Sequence, residues 1–317
     1  MAVSRALLRR RRVFAAKLET TTGDEIALGD ADGAINAYDR ELEPSIEMTT
    51  REMQGSMSNL SAVPGARQGT LNVTTHMHGS DDSESNPLWA TTLLAASGWT
   101  ATGDTYSPDS TSTATLTAGL FEDGNKRVLF GAKADWSWVF RAGQPVECNW
   151  TLTGKYRQPN AASMITPTFP SVIPPRFASA TMTIAGTAYK ISELTIAANN
   201  NVVMREDATL DDDDERSNDG TGFVAAEITS RAVTITIDPE EVAYGTQSWA
   251  AEWMDGAELA MSIVVGSTAN NIMTITAPKV QVSNVQPLDR NGILAETLTF
   301  TANDNGTGDD ELTIAFT

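Results

Sequence analysis

The chain has 317 residues, enough for two domains or one large domain with a substantial core. It carries 41 Asp and Glu against 22 Lys and Arg, a formal net charge of −19, which excludes a protein that binds nucleic acid by neutralising phosphates over its whole surface. The single cysteine excludes an internal disulfide framework, and the absence of an apolar run near the roughly 20 residues of a bilayer span excludes a transmembrane helix.

A basic segment precedes an acidic body. Residues 1–12 contain five Arg and no acid, so the remaining 17 basic residues face all 41 acidic ones. The apolar run that follows ends at Lys17 and is too short for the h-region of a signal peptide, so we predict no export signal. In a homo-oligomer this arm could lie on the acidic surface of the next subunit.

The commonest local pattern is an alternation of Thr, Val and Ile with period two. Alternation of this kind predicts half-buried antiparallel strands. The clearest examples are residues 70–77, 180–185, 232–237, 272–277 and 297–301.

Two segments carry helix signals. Residues 87–98 begin with Pro and end with Gly, and residues 248–256 also end with Gly. Each has the pattern W-A-x-x-(L/W)-(L/M), and the two tryptophans, Trp89 and Trp249, lie 160 positions apart. This match indicates an internal duplication.

A second match, R-x-G-x-x-x-E, begins at Arg141 and again at Arg290. It is the weaker of the two, because Glu147 alternates with polar residues whereas Glu296 shares a face with Leu298. The two strands are therefore out of phase by one residue. Either a bulge absorbs the difference or the match is fortuitous.

A proline-rich stretch separates the two halves. Residues 157–177 hold five of the 13 prolines, which remove amide donors and favour extended backbone. We therefore predict a basic arm at 1–12, a first module at 13–156, a linker at 157–177 and a second module at 178–317.

No arrangement of residues predicts catalysis, a metal site or a cofactor. Cys148 lies in an alternating apolar stretch and is interpreted as a core thiol, and His76 and His78 share a strand face without a clear third zinc ligand. The acidic run at 211–214 fails the spacing of a calcium loop and, with residues up to 222, predicts a solvated hairpin loop. Residues 303–311 predict a turn between the last two strands, 297–301 and 311–317.

The order of these segments resembles the tail tube (major tail) proteins of long-tailed bacteriophages. Each piece alone is generic, and the resemblance rests on their order over most of residues 13–317. The resembling pieces are residues 15–24, 51–55, 64–69, 87–98, 106–108, 128–132, 141–143, 153–156, 191–196, 199–201, Arg231 and residues 290–316.

The resemblance implies a mainly β protein of two tandem tail-tube-type β-sandwich or barrel modules, each with one short α-helix. Such subunits pair edge to edge into rings that stack into a hollow tube for DNA delivery. Three chains of two modules would form a trimeric pseudo-hexamer; without duplication, a hexamer is the default. A strongly acidic wall would let DNA pass without sticking.

Two sets of residues follow as candidates for this assembly. Contacts between stacked rings, and loop positions on the outer surface, are expected at Arg9, Arg10, Arg11, Arg12, Asp211, Asp212, Asp213 and Asp214. Loop 79–86 is expected to contribute in the same way. The lumen is expected to be lined by Thr70, Asn72, Thr74, His76, Thr234, Thr236 and Asp238.

The expected partners are other copies of the chain and other tail proteins such as the tape measure, distal tail and tail terminator proteins. Double-stranded DNA would pass through transiently, without a membrane, enzymatic activity or cofactor. The protein would be assembled in the host cytoplasm and reside in the virion tail. The competing interpretation is a secreted acidic β-rich binding or surface-layer module, and a hydrolase without a recognisable motif is a more distant one.

Overall fold

The computed structural model of the chain describes residues 6–80, 86–178, 180–208 and 222–317. Its fold is mainly β, as the alternation predicts, and each of the five segments predicted from it overlaps a strand. The strands of the first half are β1 (Arg12–Leu18), β2 (Ala37–Glu52), β3 (Asn59–His76), β4 (Trp99–Thr102), β5 (Thr105–Pro108), β6 (Leu116–Glu122), β7 (Asn125–Arg141) and β8 (Glu147–Ala161).

The second half contains ten further strands and the α-helix. The strands are β9 (Thr181–Ile184), β10 (Thr187–Ala188), β11 (Glu193–Ala197), β12 (Asn201–Glu206), β13 (Phe223–Ser230), β14 (Thr234–Ile237), β15 (Glu258–Val265), β16 (Met273–Arg290), β17 (Ile293–Ala302) and β18 (Thr313–Phe316). The helix is α1 (Trp249–Asp255), and two short 3-10 turns cover Arg9–Arg11 and Ala31–Gly33.

Six strands of each half pair in the same spatial order. In the first half the order is β1-β6-β7-β8-β3-β2, and in the second it is β9-β15-β16-β17-β14-β11. Every pairing in both sets is antiparallel, and each set has its helical segment between the third and fourth strand in chain order. The order of elements along the chain is therefore the same in both sets.

The two halves share one sheet and one core. β11 pairs with β7, and β18 pairs with both β16 and β5, so 16 strands form a single sheet. The buried apolar residues form one cluster that draws on both halves. Cys148 lies in this core with no exposed surface, and burial raises the pKa of its thiol, which confirms the prediction of an inert core cysteine.

The two helical segments differ in regularity. Ser248 caps α1 by accepting a hydrogen bond from the Ala251 amide, and Gly256 ends it in the left-handed region at φ 63°. The first segment is instead a π-helix over Ala90–Leu94, so the prediction of an α-helix there is wrong in type. The hydroxyls of Thr91 and Thr92 both donate to the Leu88 carbonyl, which competes with the regular backbone ladder.

The last two strands are not a hairpin. β17 and β18 follow each other along the same edge of β16, opposite residues 280–290 and 273–276 respectively. Residues 303–312 are therefore an excursion between two strands that do not pair, and the hairpin turn predicted there is wrong. Asp304 and Asp310 organise this loop by accepting hydrogen bonds from the backbone amides of Gly308 and Asn305.

The proline-rich segment is held against the body of the protein. Its first residues, 157–161, continue β8, and the remainder has no regular secondary structure. The Thr166 amide donates to Asp30 in the first half at 2.8 Å, and the Asn271 side chain donates to the Ile173 carbonyl from the second half at 2.9 Å.

Candidate assembly surfaces and lumen face

The two strand sets match in register as well as in order. Pairs of core-facing residues on neighbouring strands of the first half have equivalent pairs in the second half. The first-half pairs are Ala16–Ala118, Trp136–Trp150 and Leu42–Leu71. Their second-half equivalents are, in the same order, Ile184–Met261, Val285–Leu298 and Ile196–Ile235.

The lengths of the two turns account for the one-residue offset in the second sequence match. β16 and β17 pair as far as Arg290 and Ile293, which leaves two residues in their turn, whereas the turn after Arg141 is one residue longer. The bulge at Ser283 of β16 lies outside this stretch and does not shift it. Val139 pairs with Glu147. The counterpart of Val139 in β16 is Leu288, but Glu296 pairs with the preceding residue, Pro287. The two glutamates are therefore not equivalent, while the two arginines end equivalent strands.

A charged side chain spans the junction between the halves. Arg141, at the end of β7, contacts Glu193 of β11 at 3.1 Å and Glu147 of β8 at 2.9 Å. These hydrogen bonds raise the pKa of Arg141, with that from Glu193 contributing most. Its counterpart Arg290 instead contacts Asp238 at 3.3 Å and Glu240 at 2.9 Å, within its own half.

The β12–β13 hairpin packs on the first half beside this junction. Buried Lys133 of β7 donates to the Ser112 carbonyl at 2.7 Å and lies 3.5 Å from Glu227 of β13. Burial lowers the pKa of Lys133, and Glu227 opposes that shift. Asn200 donates to the carbonyls of Ser97 and Ala134, which ties the hairpin to the π-helix and to β7.

The side of the sheet opposite the core is polar and continuous across both halves. Thr74 donates to Asn149 at 2.9 Å, and Thr151 donates to Asn72 at 3.2 Å, while the intervening Val73 is buried. The residues nominated for the lumen, Thr70, Asn72, Thr74, His76, Thr234 and Thr236, lie on this side of β3 and β14.

Asp238, nominated with them, is held at the end of β14 rather than displayed on the strand face. Its carboxylate accepts hydrogen bonds from the amides of Ser192 at 2.7 Å and Glu193 at 2.8 Å, and it pairs with Arg290. The His76 and Tyr38 rings contact each other in a tilted arrangement with centroids 4.8 Å apart, and His78 lies beside Trp89. Among the described residues no cluster of three or more His, Cys, Asp or Glu is arranged to hold a metal ion.

The basic residues of the arm are bound by the chain itself. Arg9 lies 3.5 Å from Glu41, Arg11 lies 2.9 Å from Asp123, and Arg12 pairs with Glu122 at the start of β1. Arg10 is exposed and has no ion pair within the described part of the chain. The nominated Asp211, Asp212, Asp213 and Asp214 lie outside the described residues, as does most of loop 79–86.

The projecting end of the β2–β3 hairpin is a further candidate surface, which the sequence patterns did not predict. It has several exposed apolar side chains between residues 44 and 67, of which Met57 is fully exposed and Met48 is 54% exposed. In the sequence, the feature that indicates this surface is a set of apolar residues scattered through an otherwise polar segment. An exposed apolar patch of this kind is typical of an interaction surface.

Comparison with known proteins agrees with this geometry. A family model described as phage tail tube protein matches residues 9–302. The chain belongs to the phage tail tube protein family. No curated protein matches the chain in sequence. As a tail tube protein it is a structural component of the phage tail, and the resemblance found from the order of its segments is confirmed.

None of the helices formed by the described residues has the length and apolar character needed to cross a bilayer.

Proposed function

We propose that this tail tube protein is the major tube subunit, which forms closed rings that stack into the conduit for phage DNA. The observation that carries the proposal is the extended antiparallel sheet, with a core on one side and a polar surface on the other. A closed ring would pair the sheet edges that a single copy leaves exposed.

Each ring contains three copies in this proposal. The support is the repeated six-strand order and register. In this proposal residues 13–156 and 178–317 are two modules that arose by duplication. Three copies then present six similar modules around the ring. A hexamer of whole chains is the alternative if the ring has true sixfold symmetry.

The polar face lines the lumen in the proposed tube. Hydroxyl and amide groups on β3, β8, β14 and β17 offer no dense positive charge to DNA phosphates, and the chain as a whole is acidic. DNA would therefore pass without the counterion release that drives tight binding. The subunit itself performs no chemistry in this role.

Stacking of rings involves the arm and the loops in this proposal. Arg10 is the arm residue best placed to reach another ring, because its three neighbours engage the subunit's own acids. Residues 211–214 would add to the contact. The ends of the tube would meet the tape measure, distal tail and tail terminator proteins during assembly in the host cytoplasm.

Negative-stain microscopy of the concentrated protein tests the proposal. Rings or hollow tubes whose end-on averages show sixfold density modulated with threefold symmetry would support both the tube and the duplication. True sixfold averages would retain the tube and remove the duplication. Persistent monomers would favour the secreted binding or surface-layer module instead.

A further inference from the structure

Within a single copy, the second half of the chain covers the free edge of β7 in the first half. Residues 137–141 of β7 pair with β11, and the β12–β13 hairpin then packs across β7 and β8. Contact is close, since a Cβ added to Gly131 would lie 3.3 Å from the Cα of Ala225. The π-helix beside this junction is fully covered, with Leu93 and Leu94 both at 0% exposure.

The equivalent surface of the second half is open. Residues 286–290 of β16 correspond to 137–141 of β7, and among the described residues they pair only with β17. In α1 the positions that match Leu93 and Leu94 are Trp253 and Met254, which are 45% and 78% exposed. Large apolar side chains are therefore exposed at positions whose counterparts are buried.

The β2–β3 hairpin is the matching element, and its projecting end has exposed apolar side chains among the described residues. Its base corresponds to β11 and β14, so its projecting end corresponds to β12–β13. In β13 the residues Phe223, Ala225 and Ala226 are buried. The projecting end of β2–β3 instead exposes Ile46, Met48, Met53, Met57, Leu60 and Val63.

We infer that the β2–β3 hairpin of one copy docks on the second half of another copy of this chain, with β2 pairing antiparallel to residues 286–290 of β16. This inference rests on the proposed function and specifies its ring interface. The partner is a second copy because the chain already contains the same junction internally, between its own two halves. Each copy gives one hairpin and receives one, which is a head-to-tail contact that can close into a ring.

The internal junction also fixes the register. Ile196 of β11 corresponds to Leu42 of β2 and pairs with Trp138, whose counterpart is Pro287. Leu42 therefore lies opposite Pro287, and Glu41 lies opposite Leu288. A bulge between Tyr38 and Glu41 ends the regular pairing of β2, so the inferred register applies to residues 41–43.

Cysteine pairs test this register directly. Cys148 is fully buried, so an engineered pair can be oxidised without its interference. Glu41→Cys with Leu288→Cys places the thiols on directly opposed residues, within the Cβ separation that a disulfide requires. We expect mild oxidation to yield disulfide-linked oligomers on non-reducing gels, ending at the size of the closed ring.

The matched control is Glu41→Cys with Asp289→Cys, whose side chains lie on opposite faces of the sheet and should cross-link at least tenfold less. Wild-type rings seen by microscopy, together with no excess cross-linking of the Glu41 and Leu288 pair, would overturn the inferred register and leave the proposed function intact. A wild-type chain that never forms rings would overturn both.

The apolar hairpin supplies a second test. Ile46→Ser, Met48→Ser and Val63→Ser together should leave a folded monomer and raise the critical concentration for assembly by roughly tenfold or more, because hydrophobic contacts dominate such interfaces. The control is Phe169→Ser with Ile173→Ser, which removes exposed apolar side chains elsewhere and should assemble normally. Normal assembly of the hairpin variant would refute the inference.

Discussion

The two equivalent tryptophans should differ in what they contribute to stability. Trp89 is 1% exposed, its indole donates to the His78 carbonyl at 3.0 Å, and its ring lies within 6.0 Å of Trp138, Trp150 and Phe316. Trp249 is 4% exposed and contacts only two rings, those of Tyr189 and Phe300. Its indole has no hydrogen bond within the described residues.

Trp→Phe at either site removes apolar contact worth about 1–2 kcal/mol. At Trp89 the lost hydrogen bond adds about 1 kcal/mol, and the extra aromatic pair adds roughly 0.5–1.5 kcal/mol. We therefore expect Trp89→Phe to lower the free energy of unfolding by about 2.5–4.5 kcal/mol and Trp249→Phe by about 1–2 kcal/mol.

Urea unfolding of dilute, monomeric protein followed by circular dichroism measures both values. One transition is expected, because one core spans both halves. The midpoint should shift while the slope with denaturant stays unchanged. An equal loss of unfolding free energy in the two variants, or a larger loss in Trp249→Phe, would refute the account of the Trp89 environment.

Three further outcomes concern buried groups and the residues proposed to line the lumen. Burial without a hydrogen bond raises the pKa of Tyr106 to about 12. Between pH 10 and 12 the phenol therefore ionises in the unfolded chain before it ionises in the folded one, so the free energy of unfolding of the wild type should fall relative to that of Tyr106→Phe. Parallel pH profiles of the two proteins would contradict this. Glu227→Gln should cost about 1 kcal/mol in thermal or urea unfolding by leaving Lys133 without its carboxylate, and a double variant that also carries Lys133→Met should recover stability. Tubes carrying Asn72→Lys and Thr236→Lys should assemble and co-sediment with short duplex DNA at low salt but not at high salt, whereas DNA-free pellets at every salt concentration would argue against a lumen position.

Side-chain patterns alone were enough to predict local structure. Alternation located five strand segments, and at Leu71 and Val73 of one of them the apolar positions are the buried ones, because a strand exposes its two faces with period two. Ser248 and Gly256 bounded α1 because capping chemistry is local. The order of short motifs was sufficient to identify the family, since it requires no knowledge of pairing.

The pairing of distant strands required the tertiary structure. Nothing in the side chains of β11 indicates that it joins β7, or in β18 that it joins β5, because backbone hydrogen bonds between strands carry no residue code. The bulge at Ser283 and the π-helix at Ala90–Leu94 likewise depend on what each segment packs against.

The sequence by itself therefore determined the mainly β character, several of the strands and the family to which the chain belongs. Only the tertiary structure decided that the two halves share one sheet and that the arm's arginines engage the chain's own acids. The physical reason is that hydrophobic periodicity and capping act over a few residues, whereas strand partners and ion pairs are selected by the whole fold from many alternatives of similar local energy.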